Sequence, residues 1–276
     1  MIQRIYQLNS RIFLEDKIMF EKLGVQLYSI RDYMYDPALA DMAFGRLAEL
    51  GYTEAHTAGN DFDEQTFVDL LHKHGISIIG THYNYDKIKN DPEKTMEIHR
   101  MWGTTNVGIG GMPFPARKDL DELKQFIKEF NACAELYAKN GFRLTYHNHH
   151  FEFIRIDGYK TLMDYLYEGL DPATTSFVLD TCWISAAGGD VVDWMEKLRG
   201  RIDILHLKDV FIEKKDKYYV PTFTEVGYGN IAWDPVMAKA EEIGVKHYVV
   251  EQDGAWTQGA FNSLRMSAEF LAKYKK

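Results

Sequence analysis

The sequence predicts an α/β protein, a single-domain (β/α)8 TIM barrel, and three observations support that fold class. The chain has 276 residues, close to the ~250 that one such barrel occupies. Short apolar runs rich in β-forming residues recur eight times along it, and helical stretches separate them. Alternating strands and helices imply a parallel sheet with right-handed crossovers, and eight such units close into a barrel.

Five of the strand runs carry a glycine close to their first residue. Glycine adopts a positive φ without a Cβ clash, which is what the end of a helix requires. We therefore expect each of these glycines to end a helix and release a strand. The five runs begin at Leu23, Leu50, His74, Asn140 and Ile243. The other three runs cover residues 106–110, 177–180 and 203–207.

The stretches between the runs have helical periodicity, which is clearest over residues 119–140. Apolar residues recur there every three or four positions, from Leu120 to Leu136. An open, doubly wound sheet is the competing architecture, but no glycine-rich phosphate-binding fingerprint follows the first strand. The glycine-rich stretch 107–111 opens no helix, and we interpret it as close backbone packing at the end of the fourth strand. Residues 1–22 are predicted to form a leading arm or helix at a subunit contact, and residues 23–276 the catalytic barrel.

Composition excludes several classes of protein. The formal net charge of -9 repels phosphate backbones, so we expect no binding to nucleic acid. Only two cysteines are present, which argues against a disulfide framework and suits a reducing cytoplasm. No apolar run approaches the ~20 residues that cross a bilayer, and residues 1–22 lack the apolar core of a signal peptide. We expect a cytoplasmic homo-oligomer without membrane contact.

Polar side chains follow the last four predicted strands at the point where each strand ends. In a (β/α)8 barrel the chemistry lies at these carboxyl ends, and alternate residues of each strand point into the barrel mouth. His147, Asp180, His206 and Glu251 should therefore converge. Mixed imidazole and carboxylate ligands suit Mn²⁺, Fe²⁺, Co²⁺ or Zn²⁺ better than Ca²⁺ or Mg²⁺.

A single histidine or aspartate at a strand end more often caps a helix or holds a loop. Such endings on four consecutive strands are harder to explain that way, because burying so many ionisable groups without a metal or mutual pairing is costly. His82 ends the third strand at the mouth and is a candidate for binding substrate. His56 fits a loop residue as well as a site residue.

Five motifs in this order resemble the sugar phosphate isomerase/epimerase family, the xylose isomerase-like TIM barrels, over nearly the whole chain. They are Tyr146-His-Asn-His, Leu179-Asp-Thr, His206-Leu-Lys-Asp, Glu225-Val-Gly-Tyr-Gly-Asn and Val250-Glu. The resemblance implies a divalent metal held by a carboxylate from strand five, an aspartate from six, a histidine from seven and a glutamate from eight. Three of these ligands match Asp180, His206 and Glu251.

The fourth ligand departs from the family pattern. Many ketose epimerase members carry Glu-Asn-His, where this chain has His147-Asn148-His149, and its nearest acid is Glu152. Either His147 replaces the carboxylate or Glu152 folds back to supply it. Strand alternation favours His147. A second departure is Trp183, which stands where epimerase members often have a histidine. That substitution and the acidic charge argue against the endonuclease branch, which needs more histidine ligands.

The resemblance implies an isomerase or epimerase that acts on a sugar or keto-sugar through an enediolate, with Mn²⁺ as the first choice of metal and Zn²⁺, Co²⁺, Fe²⁺ or Mg²⁺ as alternatives. Removing a proton α to a carbonyl needs a base, and the catalytic candidates share a place beside the metal. They are Glu251, His149, Glu152 and Lys208. Trp183 and Trp256 join His82 as substrate-binding candidates.

Two alternatives stay open at this stage. Without the second glutamate of the epimerases, loss of a β-substituent would make a lyase, such as an inosose dehydratase or an enzyme that cleaves a 3-keto-glycoside. A barrel that serves only as a binding scaffold is the other. Residues 211–230 carry several lysines and two glycines, and they fit a solvated loop or a lid over the substrate.

Overall fold

The computed structural model describes residues 20–275. Eight parallel strands form one closed barrel in the order β1-β2-β3-β4-β5-β6-β7-β10, with β10 paired to β1. This confirms the predicted fold class and all eight predicted strands. The barrel strands are β1 (Leu23–Gln26), β2 (Tyr52–Thr57), β3 (Ser77–His82), β4 (Asn106–Ile109), β5 (Arg143–His147), β6 (Thr175–Asp180), β7 (Ile202–Leu207) and β10 (His247–Val250).

Helices follow the strands and cover the outside of the barrel. They are α1 (Pro37–Glu49), α2 (Glu64–Lys73), α3 (Tyr85–Asn90), α4 (Pro92–Met101), α5 (Leu120–Lys139), α6 (Leu162–Gly169), α7 (Thr181–Ala186), α8 (Val191–Lys197), α9 (Trp233–Ile243) and α10 (Ala260–Leu271). Helix α5 confirms the helix predicted over residues 119–140. Across residues 20–275, no helix has both the length and the apolarity to cross a bilayer. The arm predicted for residues 1–22 falls almost entirely outside the described residues.

Four of the five glycines assigned to helix ends have the expected backbone. Gly51, Gly75, Gly141 and Gly244 have φ values of 85°, 71°, 81° and 75°, and each precedes a barrel strand. The prediction is wrong for Gly24, which lies inside β1. A Cβ at Gly24 would stand 3.0 Å from Val249 Cγ2 and 3.3 Å from the Tyr248 carbonyl oxygen, so the glycine there permits the close approach of β10.

The glycine-rich end of β4 packs closely against its neighbours, as the sequence predicts. A Cβ at Gly108 would lie 2.4 Å from both Thr145 Oγ1 and the Thr81 carbonyl oxygen. Since one of these atoms belongs to the backbone of β3, the strand cannot move aside cheaply. Gly108 therefore sets the spacing of β3, β4 and β5.

A separate apolar cluster fills the barrel interior below the mouth. It consists of Ile79, Val178, Ile204 and Val249, all buried. Residues two apart on a strand share a face, so Val178, Ile204 and Val249 direct Asp180, His206 and Glu251 to the same interior. The larger core lies between the outer faces of the strands and the helices.

Residues 211–230 differ from the predicted loop. An antiparallel hairpin of β8 (Asp209–Lys215) and β9 (Tyr218–Thr224) occupies most of the segment. Beyond the buried Asp209 and Val210, its side chains are half-buried or exposed, so its strands do not form the fully buried apolar runs that indicate the barrel strands. The hairpin begins one residue after Lys208 and stands at the mouth of the barrel.

Candidate metal centre

Four side chains from consecutive barrel strands meet at the mouth. His147, Asp180, His206 and Glu251 each offer one ligand atom, and these atoms all lie within 4.8 Å of one another. All four residues are buried. His206 Nδ1 is 3.0 Å from Glu251 Oε2 and 3.9 Å from Asp180 Oδ2, and His147 Nε2 is 3.5 Å from Asp180 Oδ2. The structure thus brings together the four residues that strand alternation predicts.

Neighbouring groups leave one atom of Asp180 and one atom of His147 free to face the cluster. Asp180 Oδ1 accepts a hydrogen bond from the Trp183 backbone N–H at 2.9 Å and caps α7. Asp180 Oδ2 has no hydrogen-bond partner. His147 Nδ1 donates a long bond of 3.4 Å to the Gly110 carbonyl, and His147 Nε2 has no partner. These two atoms lie 3.5 Å apart without a hydrogen bond to any group. Polar atoms buried without a hydrogen bond are costly, and a divalent cation would satisfy both.

The electrostatics of the cluster favour an ionised Glu251 beside a neutral His206, and they act in the opposite direction on His147. Burial alone would raise the pKa of Glu251, but the charges of Lys208 and His206 hold that pKa well below its usual range. Burial lowers the pKa of His206 even though Glu251 opposes this. For His147, Asp180 and Glu251 outweigh burial and raise the pKa. The two imidazoles and two carboxylates fit a divalent transition-metal ion.

Lys208 is a fully buried cation beside the cluster. Its Nζ donates to Asp253 Oδ2 at 2.7 Å and to Glu251 Oε2 at 3.3 Å. Burial opposes its charge, but these carboxylates and Asp180 raise the pKa above the ordinary value for lysine. The ammonium group also lies 4.6 Å from the ring centre of Trp183 and 4.8 Å from that of Phe223. Lys208 can therefore stabilise negative charge or donate a proton.

Glu152 lies outside the group of four, so the structure does not show it folding back as a ligand. Its Oε1 accepts a hydrogen bond from the Tyr146 hydroxyl at 2.7 Å, and its Oε2 accepts one from the His149 backbone N–H at 2.7 Å. Burial raises its pKa to about 7. Glu152 thus fixes the loop after β5, and His147 takes the place beside Asp180.

The other predicted site residues lie around the cluster at different distances. The ring of His149 is 4.7 Å from that of His147, and burial lowers the His149 pKa to about 2. His82 lies 4.6 Å from His147 by ring centres, and Trp183 contacts Lys208. Trp256 is half-buried in the loop after β10, and no ring contact within residues 20–275 places it beside the cluster.

Sequence reasoning missed two contributors to the site, Gln26 and Phe223, and left a third, His56, undecided between a loop residue and a site residue. Gln26 ends β1 and His56 lies on β2, both fully buried, and His56 Nδ1 is 2.9 Å from His206 Nε2. The position of His56 near the end of a strand was the available signal. Phe223 comes from the hairpin and had none. His56, His82 and His206 also lie within 4.8 Å of one another by one atom each, so a shortage of histidines no longer argues against the endonuclease branch.

Comparison with known proteins agrees with this geometry. A family profile described as "Xylose isomerase-like TIM barrel" matches residues 44–274. The chain belongs to that family. The chain is similar to the inosose dehydratase of Lactiplantibacillus plantarum, with 27% identity over 74% of this chain and 72% of that protein.

Two further proteins show how far the similarity extends. The inosose dehydratase of Mesomycoplasma hyopneumoniae strain J is 26% identical over 63% of this chain, and the chain spans only 63% of that relative's length. The crystal structure of a sugar phosphate isomerase/epimerase from Parabacteroides distasonis superposes with a TM-score of 0.76 at 24% identity. It covers 92% of this chain and 94% of that one, a similarity that shows the fold.

Proposed function

We propose that this protein is a divalent-metal-dependent enzyme that removes a proton α to a carbonyl of a keto-sugar or keto-cyclitol, and that the reaction is a dehydration. The observation that carries this proposal is the buried group of His147, Asp180, His206 and Glu251 at the barrel mouth, with the cation Lys208 beside it. The resemblance to isomerases and epimerases makes reprotonation of carbon the second candidate outcome.

The metal would be held by the four clustered residues. When bound, a divalent cation supplies a Lewis acid that polarises a carbonyl and stabilises enediolate charge. Mn²⁺ remains the first choice, since two imidazoles and two carboxylates do not form the all-oxygen shell that Ca²⁺ prefers.

The surrounding residues supply the proton transfers. Glu251 lies in the cluster and the buried, unpartnered Nδ1 of His149 lies beside it, so by position either can accept the proton from the carbon next to the carbonyl. The electron pair left on that carbon forms the C=C bond as the β C–O bond breaks. Lys208 Nζ can give the departing hydroxide a proton, which produces water. Trp183 and Phe223 flank Lys208 and keep bulk solvent away from it.

Two observations favour dehydration over epimerisation. An epimerase of this family uses two opposed glutamates as an acid/base pair, whereas here the strand-five ligand position is His147 and both oxygens of Glu152 are bonded elsewhere. The curated relatives cited above are named inosose dehydratases. Epimerisation is favoured instead by His149, whose buried and unpartnered Nδ1 could return a proton to carbon.

The decisive experiment follows carbon-bound hydrogen and product mass in heavy water. The Mn²⁺-loaded protein is incubated with a panel of inososes, ketoses and 3-keto-glycosides. We expect loss of one water from an inosose or a related keto-polyol. A product of unchanged formula that carries deuterium at the α-carbon would instead support the isomerase or epimerase. If no compound exchanges its α-hydrogen and the protein retains no metal, the binding scaffold is the better account.

A further inference from the structure

A chain of hydrogen bonds begins at a backbone N–H just beyond β1 and ends at the metal cluster. The Tyr28 backbone N–H donates to Gln26 Oε1 at 3.3 Å, which caps the 3-10 turn over Leu27–Tyr33. A backbone N–H can only donate. The amide oxygen of Gln26 is therefore fixed on that side, and its nitrogen faces the interior of the barrel.

The Gln26 nitrogen meets two buried imidazoles. Gln26 Nε2 lies 2.9 Å from His56 Nδ1 and 3.3 Å from His82 Nδ1. An amide nitrogen has two hydrogens to donate and accepts nothing. Both Nδ1 atoms are therefore acceptors without a proton, and a neutral ring carries its proton on Nε2.

The acceptor role of His56 Nδ1 determines which nitrogen of His206 carries a proton. His206 Nε2 lies 2.9 Å from His56 Nδ1, across 150 positions of sequence. His56 Nδ1 has no proton to donate, and two facing lone pairs at 2.9 Å would repel, so His206 Nε2 carries the proton and shares the single His56 Nδ1 lone pair with the Gln26 amide. The lone pair of His206 is then on Nδ1, the atom that lies 3.0 Å from Glu251 Oε2 and 3.9 Å from Asp180 Oδ2.

We propose that Gln26 and His56 are positioning residues that hold His206 in the tautomer whose Nδ1 can bind a cation. The inference rests on the proposed metal centre and adds to it the hydrogen bonds that set the tautomer of His206. Residues behind a metal-binding histidine commonly fix its ring in this way, and their loss costs about 10- to 100-fold in metal affinity.

The same assignment gives a role to the second group of histidines. With Nδ1 accepting in both His56 and His82, each ring presents an Nε2–H, and both Nε2 atoms are buried without a partner. A protonated nitrogen is no metal ligand. His56 and His82 are therefore a pair of hydrogen-bond donors for a substrate oxygen, and the group that they form with His206 is not a second cation site.

The first test replaces the hydrogen-bond donor of the Gln26 side chain with an acceptor and retains the shape of the side chain. In Gln26→Glu the second carboxylate oxygen replaces the amide nitrogen, so His56 Nδ1 must become a donor and His206 loses its acceptor. We expect Zn²⁺ affinity, measured by competition with a chromophoric chelator, to fall about 10- to 100-fold. Simple attraction between the added negative charge and Zn²⁺ predicts the opposite, so unchanged or tighter binding overturns the proposal.

The second test changes the acceptor itself. His56→Asn retains an oxygen where Nδ1 stands and should bind Zn²⁺ nearly as the parent does, whereas His56→Phe retains the ring shape without the acceptor and should lose affinity as Gln26→Glu does. His82→Phe is the matched control, because His82 shares the Gln26 bond but does not contact His206 Nε2. Circular dichroism of the metal-free variants checks that each is folded. Equal affinity in His56→Asn and His56→Phe contradicts the positioning role.

The number of Zn²⁺ ions bound and the position of the His206 proton distinguish this inference from the proposed metal centre on which it rests. In the Zn²⁺-loaded parent labelled with ¹⁵N-histidine, long-range ¹H–¹⁵N correlations should show the proton of His206 on Nε2. A parent protein that binds no Zn²⁺ refutes the metal centre together with this inference. A parent that binds one equivalent while Gln26→Glu binds equally well refutes the positioning role alone. Two equivalents would show that the three histidines hold a cation, which overturns the tautomer assignment.

Discussion

At the scale of single residues, the side chains at the end of β5 have different tasks although they are close in sequence. His147 is the last residue of β5 and points to the barrel interior beside Asp180. Glu152 lies in the short turn beyond, where its carboxylate joins Tyr146 to the His149 backbone. The position along the chain, rather than the type of residue, decides which of them joins Asp180, His206 and Glu251.

Separate replacement of these two residues tests the division of tasks. His147→Ala should lower Mn²⁺ affinity at least tenfold, because it removes one of the four proposed metal ligands. Glu152→Gln retains the shape and an acceptor for Tyr146, so it should bind Mn²⁺ within about threefold of the parent. Calorimetric titration of the metal-free proteins measures both. The reverse order of effects would identify Glu152 as the ligand.

His99 predicts a pH dependence of stability that is independent of the metal centre. Its Nδ1 donates to the Thr95 carbonyl at 2.7 Å, so Nε2 accepts from the Thr81 hydroxyl at 2.9 Å. Burial lowers the pKa of His99 from 6.5 to about 4. The unfolded chain therefore binds the extra proton first. The stabilisation is complete above pH 6.5 and is lost as the pH falls toward 4, by at most about 1.4 kcal/mol per pH unit.

The measurement is urea unfolding of metal-free protein between pH 7.5 and 4.5. His99→Gln cannot take up the proton, so its free energy of unfolding should fall less steeply with pH than that of the parent. The remaining buried histidines are present in both proteins and cancel in the comparison. Parallel slopes would show that His99 does not titrate differently in the folded and unfolded chains.

At the scale of secondary-structure elements, the hairpin of β8 and β9 is joined to the site at its base. Asp209 is fully buried. Its carboxylate accepts hydrogen bonds from the backbone N–H groups of Gly227 and Gly229 and from Trp233 Nε1 at 2.7 Å. On β9, Phe223 packs against Trp183 with ring centres 5.2 Å apart. The base of the hairpin is thus anchored, and the Phe223 ring covers one side of the Lys208 ammonium group.

Removal of the Phe223 ring should weaken substrate binding and leave metal binding unchanged. Phe223→Ala is expected to raise KM several-fold, because it exposes Lys208 and Trp183 to water, with Mn²⁺ affinity unchanged. Tyr219→Ala is the matched control, since Tyr219 lies on the same strand and is 67% exposed. Steady-state kinetics on the substrate identified by the heavy-water panel measures both. Equal effects of the two substitutions would remove the hairpin from the site.

Strand β4 provides a second test at this scale. Gly108→Ala places a Cβ 2.4 Å from the Thr81 backbone oxygen and should lower the free energy of unfolding by about 1–3 kcal/mol or more. Gly110→Ala is the matched control, because its Cβ meets His82 only at an ordinary 3.4 Å. Urea unfolding of both variants checks the difference. Equal stability of the two would contradict the close packing of β3, β4 and β5.

At the scale of the whole molecule, a feature could be predicted when the pattern that indicates it lies within one short stretch of sequence. Parallel barrel strands are buried on both faces and form short apolar runs, so all eight could be found. The hairpin could not, because its strands pair with each other outside the barrel and most of their side chains are half-buried or exposed, so they do not form fully buried apolar runs. Four ligand candidates followed from strand alternation. The part played by Gln26 and His56 depends on contacts between β1, β2 and β7, and no local pattern indicates such contacts.

The most direct test of the whole account is the metal content of the purified protein. Metal-free parent protein titrated with Mn²⁺ should bind one equivalent per chain, and Glu251→Gln, which has the same shape without the charge, should lose that binding while it retains the barrel fold by circular dichroism. A parent that binds no Mn²⁺ and no Zn²⁺, or a Glu251→Gln variant that binds as the parent does, would contradict the assignment of His147, Asp180, His206 and Glu251 as a metal centre.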